Sequence, residues 1–336
     1  MHQARYWKKE DSLIRCSLCP RKCAIVKDKT GFCGVRKNID NKLYSLVYGR
    51  PAALNVDPIE KKPFYHFNPG SKVLSLGTLG CNFRCKFCIN WNISQAKINE
   101  SFEERLPEEI VHMAMKTGAQ GIAYTYVEPT IFFEYALDCA KLAKKKGLFN
   151  VFVTNGYSMQ KPLRDIRPYL DGVVIDFKGN NEDFYKDASM ASLKEVKKGA
   201  LQYKNNTNAF IEITNLVVPG QNDSPDEILE QVKWIQKHFG RQTPYHLIRF
   251  YPSHKMADTP QTPVETMVKL YKLAKEELDY VYLGNIDGTN YDNTCCPKCG
   301  ELLIKREMFS SENINLKDGK CGKCKYKINI SGQVYC

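Results

Sequence analysis

Between residues 71 and about 290 the chain alternates short apolar runs with amphipathic stretches, and this alternation limits the fold more than any other feature. Residues 73–78, 121–126, 150–154, 172–176, 209–218 and 245–250 read as strands, with a trailing one at 280–283. Residues 106–116 read as a helix, with Pro107 near its first position and acids in its first turn. A second helix starts at Ser224, where Ser224, Pro225 and Glu227 have the spacing of a capping box. Strands alternating with helices predict an α/β domain, a parallel sheet with helices outside it. Periodicity alone does not separate an open barrel of about six units from a full eight-fold barrel or a doubly wound sheet. The flanks differ in composition. Residues 1–70 hold four cysteines and little periodicity, and residues 291–336 hold six cysteines among short polar stretches. The expected division is 1–70, 71–290 and 291–336.

The first strand-like run ends in glycines and leads directly into C-N-F-R-C-K-F-C, which places Cys81, Cys85 and Cys88 in one loop. Three thiolates hold three irons of a cubane iron–sulfur cluster, whereas four close it. Three ligands leave one iron for a ligand that is not protein, the mark of a reactive centre. The competing reading is a zinc knuckle with its fourth ligand elsewhere. The loop falls at the C-terminal end of a strand, where barrel enzymes place their chemistry.

Fourteen cysteines in 336 residues would be a disulfide framework in a secreted chain. The N-terminus M-H-Q-A-R-Y-W-K-K-E-D has no apolar signal core, and no apolar run approaches membrane-spanning length. A reducing cytosol with metal-bound cysteines is the expected setting, with no membrane partner. The formal net charge of +12 suits nucleic acid or an acidic partner, or solvated lysines on helix faces such as K141-L-A-K-K-K.

The Cys-x3-Cys-x2-Cys triplet resembles the defining motif of the radical S-adenosylmethionine (radical SAM) enzymes. The resemblance implies a partial (β/α)6 barrel and a 4Fe-4S cluster whose open iron binds the amino and carboxylate groups of S-adenosylmethionine. It implies a one-electron reductant and a 5′-deoxyadenosyl radical that takes hydrogen from a substrate. Other strand ends are read beside it. Y124-T-Y-V-E-P-T puts Glu128 and Pro129 where the family has Gly-Gly-Glu-Pro, with Tyr126 and Val127 in place of the glycines. The plain alternative is a helix start. Thr154 and Asn155 suit ribose hydroxyls, or a strand-to-helix turn. Asp176 and Lys178, two apart on a strand, share a face. Their Asp-x-Lys resembles an element beside the cofactor in pyruvate formate-lyase activating enzymes, and an intra-sheet ion pair is the alternative. L216-V-V-P-G resembles those enzymes too. His254 is a candidate cofactor contact, or a solvated loop histidine.

A closer resemblance joins C16-S-L-C-P-R-K-C, G31-F-C-G-V-R, D57-P-I-E-K-K-P-F-Y-H-F and G77-T-L-G-C-N-F-R-C-K-F-C-I-N-W-N-I-S-Q. Together they are similar to the radical SAM member of the AmmeMemoRadiSam system, whose name implies Memo-like and AMMECR1-like partners. It implies no particular substrate; protein and small metabolite both stay open.

Two further cysteine sets stand apart. Cys16, Cys19, Cys23 and Cys33 form a second cubane site or a zinc site. Cys296, Cys299, Cys321 and Cys324 have the paired-knuckle spacing of a zinc ribbon. Cys295 and Cys336 are left over, and Cys139 falls on a helical pattern as core. Two other functions remain open at this point: an RNA-modifying radical SAM enzyme using the basic surface and ribbon, and a non-enzymatic iron–sulfur electron carrier.

Overall fold

The computed structural model describes residues 1–98, 103–286 and 288–336. At its centre is an eight-stranded sheet: β1 (Ala53–Pro58), β2 (Lys72–Gly77), β3 (Gly121–Tyr124), β4 (Phe149–Thr154), β5 (Gly172–Phe177), β6 (Phe210–Val217), β7 (Tyr245–Arg249) and β8 (Val281–Gly284). Strands β2 to β8 run parallel in strict chain order, and β1 lies antiparallel on the β2 edge. Crossovers between parallel strands are right-handed, so an order that never reverses puts every crossover helix on one face. A doubly wound sheet, which needs a reversal, is excluded.

The crossover helices are α1 (Pro107–Lys116), α2 (Phe133–Lys145), α3 (Gln160–Ile166), α4 (Glu182–Ser189), α5 (Leu193–Asn206), α6 (Pro225–Phe239) and α7 (Val264–Glu277). Pro107 is the first residue of α1, and Glu109 accepts the Leu106 amide at 2.7 Å. The capping box expected at Ser224 does not form. The Ser224 side chain makes no cap bond, the Glu227 carboxylate accepts from Asn181 Nδ2 at 2.9 Å, and Asn181 caps α4.

The strand register sorts the residues of the other, inner face. Val73, Ala123, Val151 and Val174 stand there and pack with Ile59, Phe64 and Phe67 of the segment between β1 and β2. Burying a ring such as Phe64 completely is worth about 1.5–3 kcal/mol. One layer on, Glu212 accepts the amides of Tyr65, His66 and Phe67 at 2.8–3.1 Å and faces His246 Nε2 at 2.8 Å. Burial pushes the Glu212 carboxyl up, but the hydrogen bond from His246 and that from the His66 amide help to outweigh it and hold it low.

Residues 1–45 are not featureless. They form two three-stranded antiparallel sheets, one of Trp7–Glu10, Leu13–Cys16 and Ala24–Val26, the other of His2–Gln3, Lys42–Ser45 and Arg36–Ile39. They clamp to α2 through Arg36 and Glu134, both almost fully buried, with Nη1 and Oε2 2.9 Å apart. Glu134→Ala strands a buried guanidinium, so it is expected to cost about 3–5 kcal/mol in a urea titration. A loss below about 1 kcal/mol, the worth of a surface pair, would show the clamp to be idle.

The last 43 residues fold as Thr294–Cys295, Leu302–Glu307 and Ser310–Asn313, followed by the hairpin Leu316–Lys317 and Lys320–Cys321. This unit closes on the Phe64–Phe67 segment. Arg306 Nη2 donates to Tyr65 O at 2.7 Å, and His66 Nδ1 meets Asn329 O at 2.7 Å. His66 Nε2 lies 2.5 Å from Tyr282 Oη. A carbonyl at one nitrogen and a phenol at the other suit neutral imidazole, donating from Nδ1 and accepting at Nε2. Burial pushes His66 down to about 4. The unfolded chain takes a proton near pH 6.5, the folded one near 4. Stability is therefore full above 6.5, falls as pH drops towards 4 and levels off below, by on the order of 3 kcal/mol. His66→Gln is expected to flatten that slope in denaturant titrations between pH 7 and 4; an unchanged slope would assign the acid lability elsewhere.

Candidate functional site

The cysteine loop leaves β2 at its C-terminal end and is held by buried aromatics rather than by its thiols. Phe83 meets Tyr157 edge-on at 5.1 Å between ring centroids, and Phe87 stacks on Phe184 at 6.0 Å. Arg84 N and Lys86 N donate to Ser189 O and Ala188 O at the end of α4. Cys81, Cys85 and Cys88 lie close enough that their charges act on one another. Burial pushes the Cys81 and Cys85 thiols up, to about 12 and about 11, so a bound metal must displace a proton from each. Hydrogen-bonding groups surround the sulfurs: Phe83 N at 3.4 Å from Cys81 Sγ, Ser189 Oγ at 3.4 Å from Cys85 Sγ and Ser94 Oγ at 3.3 Å from Cys88 Sγ. Such contacts to sulfur tune the reduction potential of an iron–sulfur centre. Three thiols on one anchored loop, with an amide and two hydroxyls beside their sulfurs, fit three-point ligation of a cubane.

Asp176 and Lys178 stand beside this loop. Asp176 follows Val174 on the inner face, level with Thr214 of β6, whose hydroxyl donates to it at 3.0 Å. Lys178 Nζ bonds the other oxygen of Asp176. Burial alone would push the Lys178 ammonium down, but the charges of Asp176 and Cys85 hold it above its ordinary value. Asn222, in the turn after β6, fixes the backbone here by donating to Lys178 O at 2.5 Å and Leu216 O at 2.7 Å.

Glu128 and Pro129 start a short 3-10 helix, Pro129–Phe132. The Glu128 carboxylate is buried and accepts from Thr130 N, Thr130 Oγ1, Thr154 Oγ1 and Asn155 N at 2.6–3.0 Å. Burial still pushes it up. It joins the end of β3 to the end of β4. Thr154 follows Asn150 and Phe152 on the helix-facing side of β4 and gives its hydroxyl to Glu128. Asn155 turns the other way and donates to Asn82 Oδ1 at 2.8 Å. Asn82 Nδ2 in turn donates to Tyr157 O at 3.1 Å. Asn82, fully buried and next to Cys81, is a residue the sequence does not single out; being polar beside a metal ligand is its only signal. His254 stacks on Trp91 at 5.0 Å, and its buried Nε2 has no partner among the described residues.

The two missing glycines before Glu128 have a local answer. Tyr126 takes φ +66°, a left-handed conformation that glycine adopts without cost. Its ring and hydroxyl are anchored, with Lys62 Nζ 4.5 Å from the ring centroid and Asp57 Oδ2 accepting its hydroxyl at 2.8 Å. Asp57 also pairs with the buried Lys62 at 2.8 Å, a constellation drawn from β1 and the segment after it.

The C-terminal cysteines are arranged differently. Cys296 and Cys324 sulfurs lie 3.5 Å apart, those of Cys299 and Cys321 3.7 Å apart, and all four within 4.8 Å of one another. A tetrahedron with metal–sulfur bonds of about 2.3 Å has edges of about 3.8 Å, so the set fits one ion. Cys139 is buried in α2, Cys295 is exposed and Cys336 half-buried. Among the described residues no helix is long and apolar enough to cross a membrane.

Known proteins place this arrangement. The radical SAM superfamily model matches residues 76–232. The uncharacterized protein MJ0808 of Methanocaldococcus jannaschii is 43% identical over 335 residues, 98% of this chain and 99% of that one. The pyruvate formate-lyase-activating enzyme of Clostridium pasteurianum is 24% identical over 217 residues, 60% of this chain and 89% of that one. Among solved structures, a radical SAM methyltransferase from Sphaerobacter thermophilus shares the fold, with a TM-score of 0.52 at 14% identity, covering 70% of this chain and 71% of that one. The chain therefore shares a family with MJ0808 and belongs to the radical SAM superfamily.

Proposed function

We propose that Cys81, Cys85 and Cys88 hold a 4Fe-4S cluster and that the inner face beside them binds S-adenosylmethionine. The observation that carries this is the meeting of three cysteines, not four, with an acid–base pair at the C-terminal edge of a parallel sheet. When bound, the cluster and S-adenosylmethionine supply one-electron cleavage to methionine and a 5′-deoxyadenosyl radical. Asp176 and Lys178 offer one charge of each sign to a ligand that carries a sulfonium, an ammonium and a carboxylate. Asn155 and Asn82 hold the cysteine loop against the end of β4, and Glu128 and Pro129 set the turn of β3 from behind. Half-buried Val153, Leu216 and Ile248 share the inner face and keep water from reactive carbon.

The sheet is read as an open barrel of six strand–helix units closed at its floor by residues 59–70. The C-terminal set is read as a structural zinc ribbon, and His254 as a lip residue of the mouth. Membership of the AmmeMemoRadiSam system, with Memo-like and AMMECR1-like partners in a reducing cytosol, rests on the motifs of residues 16–95. Anaerobic reconstitution with iron and sulfide, then S-adenosylmethionine and dithionite, is expected to yield 5′-deoxyadenosine and methionine in equal amounts. A fully loaded protein that leaves S-adenosylmethionine intact would overturn the reading.

A further inference from the structure

The four N-terminal cysteines are not spent on any role above, yet the fold gathers them. Cys16 ends one strand and pairs its amide with Cys23 O at 3.0 Å; Cys33 lies just before another strand. Cys16, Cys19, Cys23 and Cys33 all line one cavity. Arg21 and Lys22 line it too, as does Arg36 with its charge paired to Glu134, and no carboxylate is part of the lining. Such a wall suits four thiolates around a metal centre of net negative charge. Among the described residues, only the ribbon set brings three or more ligand atoms within 4.8 Å of one another. One ion needs sulfur spacings of about 3.8 Å. In a cubane each thiolate has its own iron, so the sulfurs stand farther apart around a larger core.

The cavity also abuts the catalytic loop. Asn82, next to Cys81, forms part of its wall, and Arg21 Nε donates to Asn82 O at 2.6 Å. Gly80, with φ +86°, has its backbone so close to Cys33 that an added Cβ would sit 2.6 Å from Cys33 O. Arg84 of the loop donates to Phe32 O, and the guanidinium carbons of Arg21 and Arg84 lie 3.5 and 4.6 Å from the Phe32 ring centroid. The cavity of one cysteine set thus takes part of its wall, Asn82, from the loop that carries the other.

We propose that Cys16, Cys19, Cys23 and Cys33 hold a second 4Fe-4S cubane, closed by four cysteines, that passes electrons to the site of Cys81, Cys85 and Cys88. The relay role rests on the radical SAM reading above; the cluster itself does not. Closed ligation leaves no iron for substrate, so the centre carries electrons and binds nothing. The count is one in and one out. A low-potential protein donor of the iron–sulfur or flavin class gives up one electron, the closed core goes from 2+ to 1+, and the same electron leaves for the catalytic site. No bond or proton changes at the four thiolates.

The test is anaerobic reconstitution of three full-length chains: wild type, Cys81→Ala/Cys85→Ala/Cys88→Ala, and Cys19→Ala/Cys23→Ala, whose two thiols are only half-buried. Iron, sulfide and zinc are counted, and the dithionite-reduced electron paramagnetic resonance signal is recorded with and without S-adenosylmethionine. The triple variant is expected to keep about four irons and a reduced-cubane signal that S-adenosylmethionine leaves unchanged. Wild type is expected to hold about eight irons. The double variant should keep the S-adenosylmethionine-sensitive signal and its dithionite-driven 5′-deoxyadenosine, but form it at least about tenfold more slowly from a reduced flavodoxin-class donor, about 1.4 kcal/mol in barrier. A triple variant free of iron, whether metal-free or with a second zinc, overturns the cluster. So does a remaining signal that moves with S-adenosylmethionine. Equal donor-driven rates in wild type and double variant overturn the relay. Should the double variant misfold, iron in the triple variant decides the cluster alone. Failure of the radical SAM reading shows separately, as iron-loaded wild type with no S-adenosylmethionine-sensitive signal.

Discussion

Replacing Cys81, Cys85 and Cys88 together by alanine is expected to abolish 5′-deoxyadenosine formation while leaving the protein folded. The loss follows from ligation: without these thiolates no iron is held at the mouth of the sheet. Retention of the fold follows from what anchors the loop. Phe83 and Phe87 are buried against Tyr157 and Phe184, and two backbone bonds tie the loop to the end of α4. None of those contacts uses a sulfur. Liquid chromatography of quenched reactions measures the product, and thermal unfolding of the apo chain checks the fold. Residual reductive cleavage in the triple variant would remove the catalytic assignment of this loop.

Asp176→Asn is expected to weaken S-adenosylmethionine binding about ten- to a hundredfold with iron loading unchanged. The substitution keeps the volume and a hydrogen bond to Thr214 but removes the charge that faces Lys178. A charge-assisted hydrogen bond is worth about 1.5–3 kcal/mol, and each 1.4 kcal/mol is a factor of ten in Kd. Lys178→Met tests the opposite sign from the same face. Equilibrium binding to cluster-loaded protein gives the number. Unaltered affinity in both variants would make the pair an ion pair of the sheet and nothing more.

The parallel strands were legible because strands covered on both faces read as continuous apolar runs, and each of the seven lies within two residues of its expected bounds. The antiparallel strand β1 was not. Its A-L-N-V-D-P sequence mixes Asn55, Asp57 and a proline, and only its pairing with β2 makes it a strand. The central sheet therefore starts at Ala53, inside the stretch whose cysteines suggest a separate N-terminal segment. The small sheets of residues 1–45 escaped for a related reason: strands of two to four residues show no period. Within the candidate site, the pairing of Asp176 and Lys178 follows from their two-residue spacing. Thr154 shows the limit of reading a strand end as one unit. Consecutive strand residues face opposite sides, so Thr154 joins Glu128 and the helix layer while Asn155 reaches the cysteine loop. The network of Asp57, Lys62 and Tyr126 joins residues 57–62 to a tyrosine 69 positions from Asp57, and no local pattern announces that link.

The contacts of Tyr65 and His66 reach far along the sequence, with a separation of 241 positions from Tyr65 to Arg306 and 263 from His66 to Asn329. The clamp of Arg36 on Glu134 spans only 98. A ribosome delivers residues in order, and contacts near in sequence form first. The cysteine-rich end can therefore settle on α2 while the second half of the sheet is still being made. The contacts of Tyr65 and His66 wait until residues 306–329 have been made. A nascent chain thus passes through a stage in which Arg36 already holds residues 1–45 against α2 while Tyr65 and His66 still lack their late partners.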